Sequence, residues 1–360
     1  MTLADLVAQD DPDVAHDLAA DRAVVRGSRT TGHTRGVVVS VVLAVLTVVA
    51  LCVSISIGDF PIPLGDVVPA VFRFGASDSD FIIRQLRLPR ALTAVMVGAA
   101  FGVSGAIFQS LARNPLASPD IIGITAGATT SAVFIIIVLH GGGTMVSVGA
   151  LVGALASTLV IYLLAYQRGV SSYRLVLVGI GVASVLTAIT SYLLTRGQIF
   201  EVQQAMVWLI GSLNGRSWDH LRPVTLAMVV LFPSVLVLAR PLRALQLGDD
   251  TARGLGVRVE RSRLALVVVA VALAAVATAA TGPIAFVAFV AAPIARRLVR
   301  APLTIIPAAL VGSLLLLLSD LVARRAFAPT EMPVGVVTGI LGAPYLVWLL
   351  ARANRIGRGG

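Results

Sequence analysis

The sequence predicts an all-α integral membrane protein with about ten transmembrane helices, and three observations predict it. Hydrophobic residues make up 57% of the 360-residue chain and charged residues only 13%, with a mean hydropathy of +0.94. A soluble domain is normally about 25% charged. Charge-free windows long enough to cross ~30 Å of hydrocarbon at ~1.5 Å per residue recur along the whole chain. The charges collect at the ends of those windows. RQLRLPR (84–90) leads into Ala91 to Ala112, which carries no charge, and Arg113-Asn114-Pro115 ends the run in a tight turn. An arginine at the bilayer centre costs roughly 3 kcal/mol, so Arg84, Arg87, Arg90 and Arg113 belong at the two interfaces. The apolar runs are far too long for barrel strands, and helices satisfy their own backbone groups in lipid.

In chain order, residues 1–36 come first: polar, with Asp5, Asp10, Asp11, Asp13, Asp17 and Asp21 followed by arginines. They are expected to form a flexible tail. The first apolar run starts too late, and is too long, for a cleaved signal peptide. The windows 37–58, 91–112, 121–139, 144–167, 175–195, 223–239, 264–295, 301–319 and 332–351 follow. The 32 residues of 264–295 exceed one span. Gly282-Pro283 divides them, because proline removes a backbone donor and clashes with the preceding turn. A long helix to about 281 and a short one after it bring the expected number of segments in 37–352 to ten. Residues 353–360 form a short basic tail.

All 28 basic residues are arginine. With cytoplasmic termini, the inside segments 1–36, 113–120, 168–174, 240–263, 296–300 and 352–360 hold nineteen of them and the outside segments nine. The positive-inside rule therefore predicts both termini on the cytoplasmic side of the membrane. It also accounts for most of the net charge of +10 without nucleic acid, since no basic patch is interleaved with aromatic residues. Cys52, the single cysteine, reads as a small buried hydrophobe.

Several chemistries are excluded. Without lysine there is no GxxxxGK[ST] phosphate loop and no Schiff-base cofactor. His16, His33, His140 and His220 are scattered without metal-ligand spacing, and Glu201, Glu260 and Glu331 lie at span edges or in loops. No catalytic group, metal set or cofactor site is expected. A stand-alone secondary transporter keeps ionisable relays inside its spans. Asp320 comes nearest to that, close to the outer end of its helix, and reads as structural.

Gly98 and Gly102 form a GxxxG pair with Gly105 near the same face, and Gly179, Gly181, Ser184 and Thr187 repeat the theme. In lipid, small residues let helix backbones approach, so these glycines are candidates for packing or for lining a pathway. The connection 240–263 alternates Leu245, Leu247, Ala252, Leu255 and Val257 with Asp249, Asp250, Arg253 and Arg258. Gly248 and Gly254-Leu255-Gly256 are expected to punctuate two short helices lying along the membrane. Regular apolar residues there mark either a partner site or an interfacial helix on lipid.

These stretches resemble the FecCD family of ABC-transporter permeases. The resemblance rests on RLPRALTAVMVGAAFGVSGAIFQSLARNPLASPDIIGITAGA (87–128), WLIGSLNGRSWDHL (208–221), LQLGDDTARGLGV (245–257), GPIAFVAFVAAPIARRL (282–298) and MPVGVVTGILGAPYLVWLL (332–350). It runs from about residue 40 to the end of the chain. It implies a cobalamin-importer-like bundle, the type II ABC importer fold. Two such permeases, as a homo- or heterodimer, enclose one pathway. Two cytoplasmic ATPases that use ATP and magnesium drive it, and an extracytoplasmic binding protein delivers a ferric siderophore, haem or cobalamin. GSLNGRSWDHL and the Arg296-Arg297 pair resemble the ferric-enterobactin-type branch more than the cobalamin branch.

The resemblance also implies residue roles. Arg87, Arg90 and Arg324 would receive carboxylates of the binding protein; the alternative from the residues alone is that Arg87 and Arg90, with Pro89 in the first helical turn, only anchor the helix end to lipid phosphates. As outward-facing side chains, Arg87 and Arg324 are expected to tolerate joint charge reversal with folding intact. Leu247, Gly248, Asp249, Asp250, Ala252, Arg253, Gly254, Leu255 and Gly256 would form the element that couples to the ATPase. One departure stands out. Many members carry Pro-His or Pro-Gln before Ile-Ala-Arg, where this chain has Ala292-Pro293, so any role of that polar side chain does not transfer.

Overall fold

The computed structural model describes residues 12–72, 80–120, 123–166, 172–301 and 303–356, and among them the regular structure is helical throughout. The helices are α1 (Pro12–Ser56), α2 (Leu64–Phe72), α3 (Leu88–Ala112), α4 (Ile124–Ile137), α5 (Thr144–Ala165), α6 (Ser172–Arg196) and α7 (Ile199–Ile210). They continue with α8 (Trp218–Gln246), α9 (Asp249–Gly254), α10 (Val259–Thr281), α11 (Val287–Val299), α12 (Ile305–Arg325) and α13 (Val334–Ile356). Among the described residues, seven helical stretches are long and apolar enough to cross a membrane, and α4, α7 and Val334–Leu349 are shorter apolar helices. Each of the ten expected segments contains a helix. The break at Gly282 is real: α10 ends at Thr281, Gly282 has φ +77°, and α11 starts at Val287.

Three elements depart from expectation. Residues 12–36, expected as part of a flexible tail, continue the first span as one helix from Pro12, a residue suited to a helix start because it has no N–H to leave unpaired; residues 1–11 lie outside the described part. Helix α7 fills a stretch between two expected spans, where Glu201 was placed at a span edge or in a loop. Its start carries a capping box, with Gln198 N donating to Glu201 Oε2 at 3.0 Å. Third, although Pro89 lies in the first turn of α3 as expected, helical structure does not start there. One π-helical turn, Ile82–Arg87, runs straight into α3, and Leu88 N bonds back to Ile83 O. Pro89 has no N–H and its ring crowds the carbonyl four residues back, and a widened turn relieves that crowding.

Helix α3 is the hub. In the most apolar window of the stretch Ile82–Ala112, 78% of residues are buried, against 17% in the corresponding windows of α1 and α6 at the periphery. Its small residues set the spacing. A Cβ added at Gly98 would land on the backbone oxygen of Gly312, at Gly102 on that of Ala308, and at Gly105 on that of Ala288. Gly98 and Gly102 thus admit α12, and Gly105 admits α11. Ser104 Oγ donates to Ala270 O of α10 at 2.7 Å, and Ser313 Oγ of α12 donates to Val95 O at 2.7 Å. The second glycine group divides. Gly179 is buried, with its carbonyl against Gly123, whereas Gly181 is exposed with open space where a side chain would stand. Ser184 and Thr187 are exposed too, each donating to the carbonyl four residues back. That face of α6 packs against nothing among the described residues. Cys52, expected to be buried, is half-buried and unpaired.

Contacts sort the connections to two ends of the bundle. Arg90 marks one, with the connections 57–63, 197–217 and 326–333, and Arg113 marks the other, with 247–258 and 300–304.

Candidate functional sites at the two ends of the bundle

At the Arg90 end a carboxylate lies at the centre of a charge cluster. Asp320 of α12 is 1% exposed. Arg90 of α3 reaches it through Nε at 3.2 Å and Nη2 at 3.0 Å, both to Oδ1. Arg324, one turn along α12, brings Nε to 3.2 Å from Oδ2, an ion contact without hydrogen-bond alignment. Each guanidinium has a further partner. Arg90 Nη1 donates to Glu331 Oε2 at 3.0 Å, and Arg324 Nη2 donates to Ser54 Oγ at 2.6 Å. A charge this deep is stable only when paired and hydrogen-bonded. Asp320 is therefore structural, as its position near the helix end indicated.

Arg87 points elsewhere. It donates to Ile55 O at 2.7 Å, Ser56 O at 3.2 Å and Phe60 O at 2.6 Å. These are carbonyls at and just beyond the C-terminus of α1, which lack helical partners and carry the negative end of the helix dipole. The three sequence-predicted arginines do come together: Arg87, Arg90 and Arg324 line one open hollow of about 300 Å³, with Arg325, Asp59 and Glu331. They are not, however, free surface charges. Reversing Arg87 or Arg324 would break contacts that hold α1 to α3 and α12, so the expectation that such changes leave folding intact is corrected. Arg216, in the 211–217 connection, shows the alternative. Burial lowers its pKa, and among the described residues its guanidinium donates to Ser212 O, at 3.3 Å.

At the Arg113 end the 240–263 stretch contains one short helix rather than two. Residues 240–246 complete α8 and 259–263 begin α10, leaving 247–258 between them with α9 in the middle. Gly248 (φ +117°) and Gly256 (φ +78°) make the two turns, a backbone region open to glycine and strained for other residues. Gly254 is helical, with open space where a side chain would stand. The connection is pinned. Asp249 accepts from Arg263 Nη2 at 2.9 Å with both oxygens, and Arg113 Nη2 donates to Leu245 O at 2.9 Å. Ala252 is fully buried, while Leu247 and Leu255 are 66% and 63% exposed. Asp250 and Arg253 pair with each other on the surface at 2.8 Å. A rigid, glycine-turned element thus presents two leucines and a charged pair outward. Just before α4, burial raises the pKa of Asp120 against the opposing effect of the Thr125 hydroxyl, which donates at 2.6 Å.

The same end explains the proline of Ala292-Pro293. Without an N–H, Pro293 leaves Phe289 O inside α11 with no helical partner. Gln109 Nε2 donates to that oxygen at 2.9 Å, and Gln109 Oε1 accepts from Arg296 Nη2. Ala292 is 1% exposed, packed with Leu43, Ala106 and Ala308, and Pro293, which stands where many FecCD members carry the polar side chain, is buried too. Gln109 was missed from sequence because it is a single uncharged residue in an apolar run. Replacing it with leucine orphans a buried carbonyl and an arginine, at about 1–3 kcal/mol. Gln109→Leu is expected to lower the unfolding temperature of the detergent-solubilised protein, and an unchanged temperature would mean that water serves Phe289 O equally well.

Residues 46–352 match the FecCD transport family. The chain belongs to that family. This FecCD protein is 42% identical over 319 residues to the ferric enterobactin transport system permease protein FepG of Escherichia coli K12, covering 86% of this chain and 96% of that one. It is 38% identical over 334 residues to the iron(3+)-hydroxamate import system permease protein FhuG of Bacillus subtilis 168, covering 90% of this chain and 99% of the relative. Among solved structures, a metal-chelate type ABC transporter in an inward-facing conformation superposes with a TM-score of 0.74 at 26% identity, over 87% of this chain and 98% of that one. The FecCD match begins within α1, so the first turns of that long helix lie outside the family region.

Proposed function

We propose that this FecCD chain is the membrane-spanning permease of an ATP-driven importer of ferric siderophores. It would work by alternating access as one of two permease subunits in the cytoplasmic membrane. The observation that carries the reading is the 247–258 connection: a short helix whose Asp249 pairs with Arg113 at 3.8 Å and Arg263 at 2.9 Å, turned by Gly248 and Gly256, with Leu247 and Leu255 exposed. Two solvent-facing leucines on a pinned element suit a protein groove, which is what a cytoplasmic ATPase offers. With no lysine for a phosphate loop, ATP and magnesium would be handled by that partner. The Arg90 end then faces outward. Its arginine-lined hollow would take carboxylates of an extracytoplasmic binding protein, with Arg87, Arg90 and Arg324 as the docking set. The siderophore cargo is supported by the relatives named for ferric enterobactin and iron-hydroxamate.

This reading requires opposite sidedness for the two ends. In a Cys52→Ser background, Gly142→Cys and Asn214→Cys are expected to react with an impermeant thiol reagent on intact cells. Thr251→Cys is expected to react only after the cells are opened. All three positions are exposed. Labelling of Thr251→Cys from outside would put the leucines out of reach of any cytoplasmic ATPase and end the proposal.

A further inference from the structure

The carboxylates of the Arg90 cluster are not equivalent. Asp320 lies within a helix, is 1% exposed, and touches both Arg90 and Arg324. Glu331 sits in the connection between α12 and α13, has a 35% exposed side chain, and holds Arg90 by Nη1 alone. Both face the open hollow's arginines, and one of the two can leave without unfolding anything. If Glu331 swings out, Asp320 still fixes the plane of the Arg90 guanidinium through Nε and Nη2. The Nη1 donor is then left aimed into the hollow.

We infer that Glu331 is an internal stand-in for a partner's carboxylate: it occupies on Arg90 the place that a carboxylate of the docking protein takes, and docking proceeds by exchange of one for the other. This rests on the docking role given to the Arg90 end above. Charge supports it. The guanidiniums of Arg87, Arg90, Arg324 and Arg325 are opposed by Asp320, Glu331 and Asp59, the last 97% exposed on Arg325. Withdrawal of Glu331 raises the positive excess at the moment a carboxylate arrives. Phe60, 71% exposed, and Leu86, 56% exposed, flank the hollow and supply the apolar surround that excludes water from interfacial ion pairs.

Exchange also gives docking a mechanical consequence. The Glu331 connection is tied to α12 through Met332 N donating to Ala323 O at 3.1 Å. Just beyond it, Gly335 N donates to Gly211 O at 3.2 Å, where α13 meets the 211–217 connection. Moving Glu331 off Arg90 thus pulls on a short segment joined to two other elements of the same mouth. An arginine that merely anchored a helix end to lipid would have no such linkage.

The test uses the permease–ATPase complex in lipid nanodiscs and the binding protein that supports uptake through this permease, with association followed by surface plasmon resonance. Glu331→Gln removes the competing charge and is expected to tighten association about fivefold, mostly through a faster on-rate. Arg90→Gln is expected to weaken association, and adding Glu331→Gln to it should then change nothing. A Glu331→Gln complex that binds no better, while Arg90→Gln binds worse, overturns the exchange and leaves the docking role standing. If Arg90→Gln and Arg324→Gln both bind as the wild type does, docking itself is lost and the exchange with it. A nitroxide label on Thr330→Cys, in the Cys52→Ser protein with Glu331 intact, gives a second readout. Its mobility is expected to rise when the binding protein is added, and an unchanged spectrum with bound partner contradicts the release of Glu331.

Discussion

Asp320→Ala is expected to deplete the folded protein from the membrane more than any other single side-chain change. The substitution leaves Arg90 and Arg324, 12% and 11% exposed, facing each other without the carboxylate that now separates them. Removing one partner of a buried ion cluster typically costs about 3–5 kcal/mol, because the remaining charge stays desolvated. That is a large share of the ~5–15 kcal/mol that holds a typical domain folded. The matching rescue is a triple change, Arg90→Met with Asp320→Leu and Arg324→Met, which takes out every charge of the buried core at once. Apolar replacement of a whole buried cluster is often neutral or stabilising. Yield and unfolding temperature are therefore expected to return while docking does not. Normal yield and stability of Asp320→Ala would show that lipid headgroups or water satisfy the two arginines.

The second large effect concerns the element between α8 and α10. Gly248→Val and Gly256→Val each force a β-branched residue to φ +117° or φ +78°. Strain of about 1–3 kcal/mol per position is expected, enough to tilt or unwind a six-residue helix. Uptake should fall by about tenfold or more for either variant, with normal amounts of permease in the membrane. Gly254→Val is the control. Its backbone is helical and nothing lies within 4 Å of an added Cβ, so uptake is expected to persist. Equal loss in all three would implicate the surface itself rather than the turns. No loss in any would remove the element from the transport cycle.

The two ends differed in how far their sequence could be read. Span positions were legible because apolar windows and bounding arginines obey the energetics of a bilayer. Gly98, Gly102 and Gly105 were legible as packing residues because close backbone approach needs hydrogen at that position. The arginines were half legible. Lipid energetics put them at helix ends, but not what they do there. Arg87 caps α1, Arg113 reaches the end of α8, and Arg35 donates to Leu298 O near the end of α11 at 2.9 Å. All three reach carbonyls in the last turn of a helix, the negative end of its dipole. Partners 32, 132 and 263 residues away cannot be inferred from local spacing. Nor could α7 be seen, because its polar residues interrupt the hydropathy signal and its capping box begins with glutamine. The pairing of Gln109 with a carbonyl freed by Pro293 lies across two helices 180 residues apart.

Uptake of a radiolabelled ferric siderophore by proteoliposomes tests the central claim most directly. The vesicles would hold two copies of this chain, or this chain and a second permease, with the cognate ATPase and binding protein. Accumulation is expected to require ATP and the binding protein together, and to stop with Gly256→Val while Gly254→Val retains it. Uptake that runs without ATP, or that an ion gradient drives in the absence of the ATPase, would contradict the account.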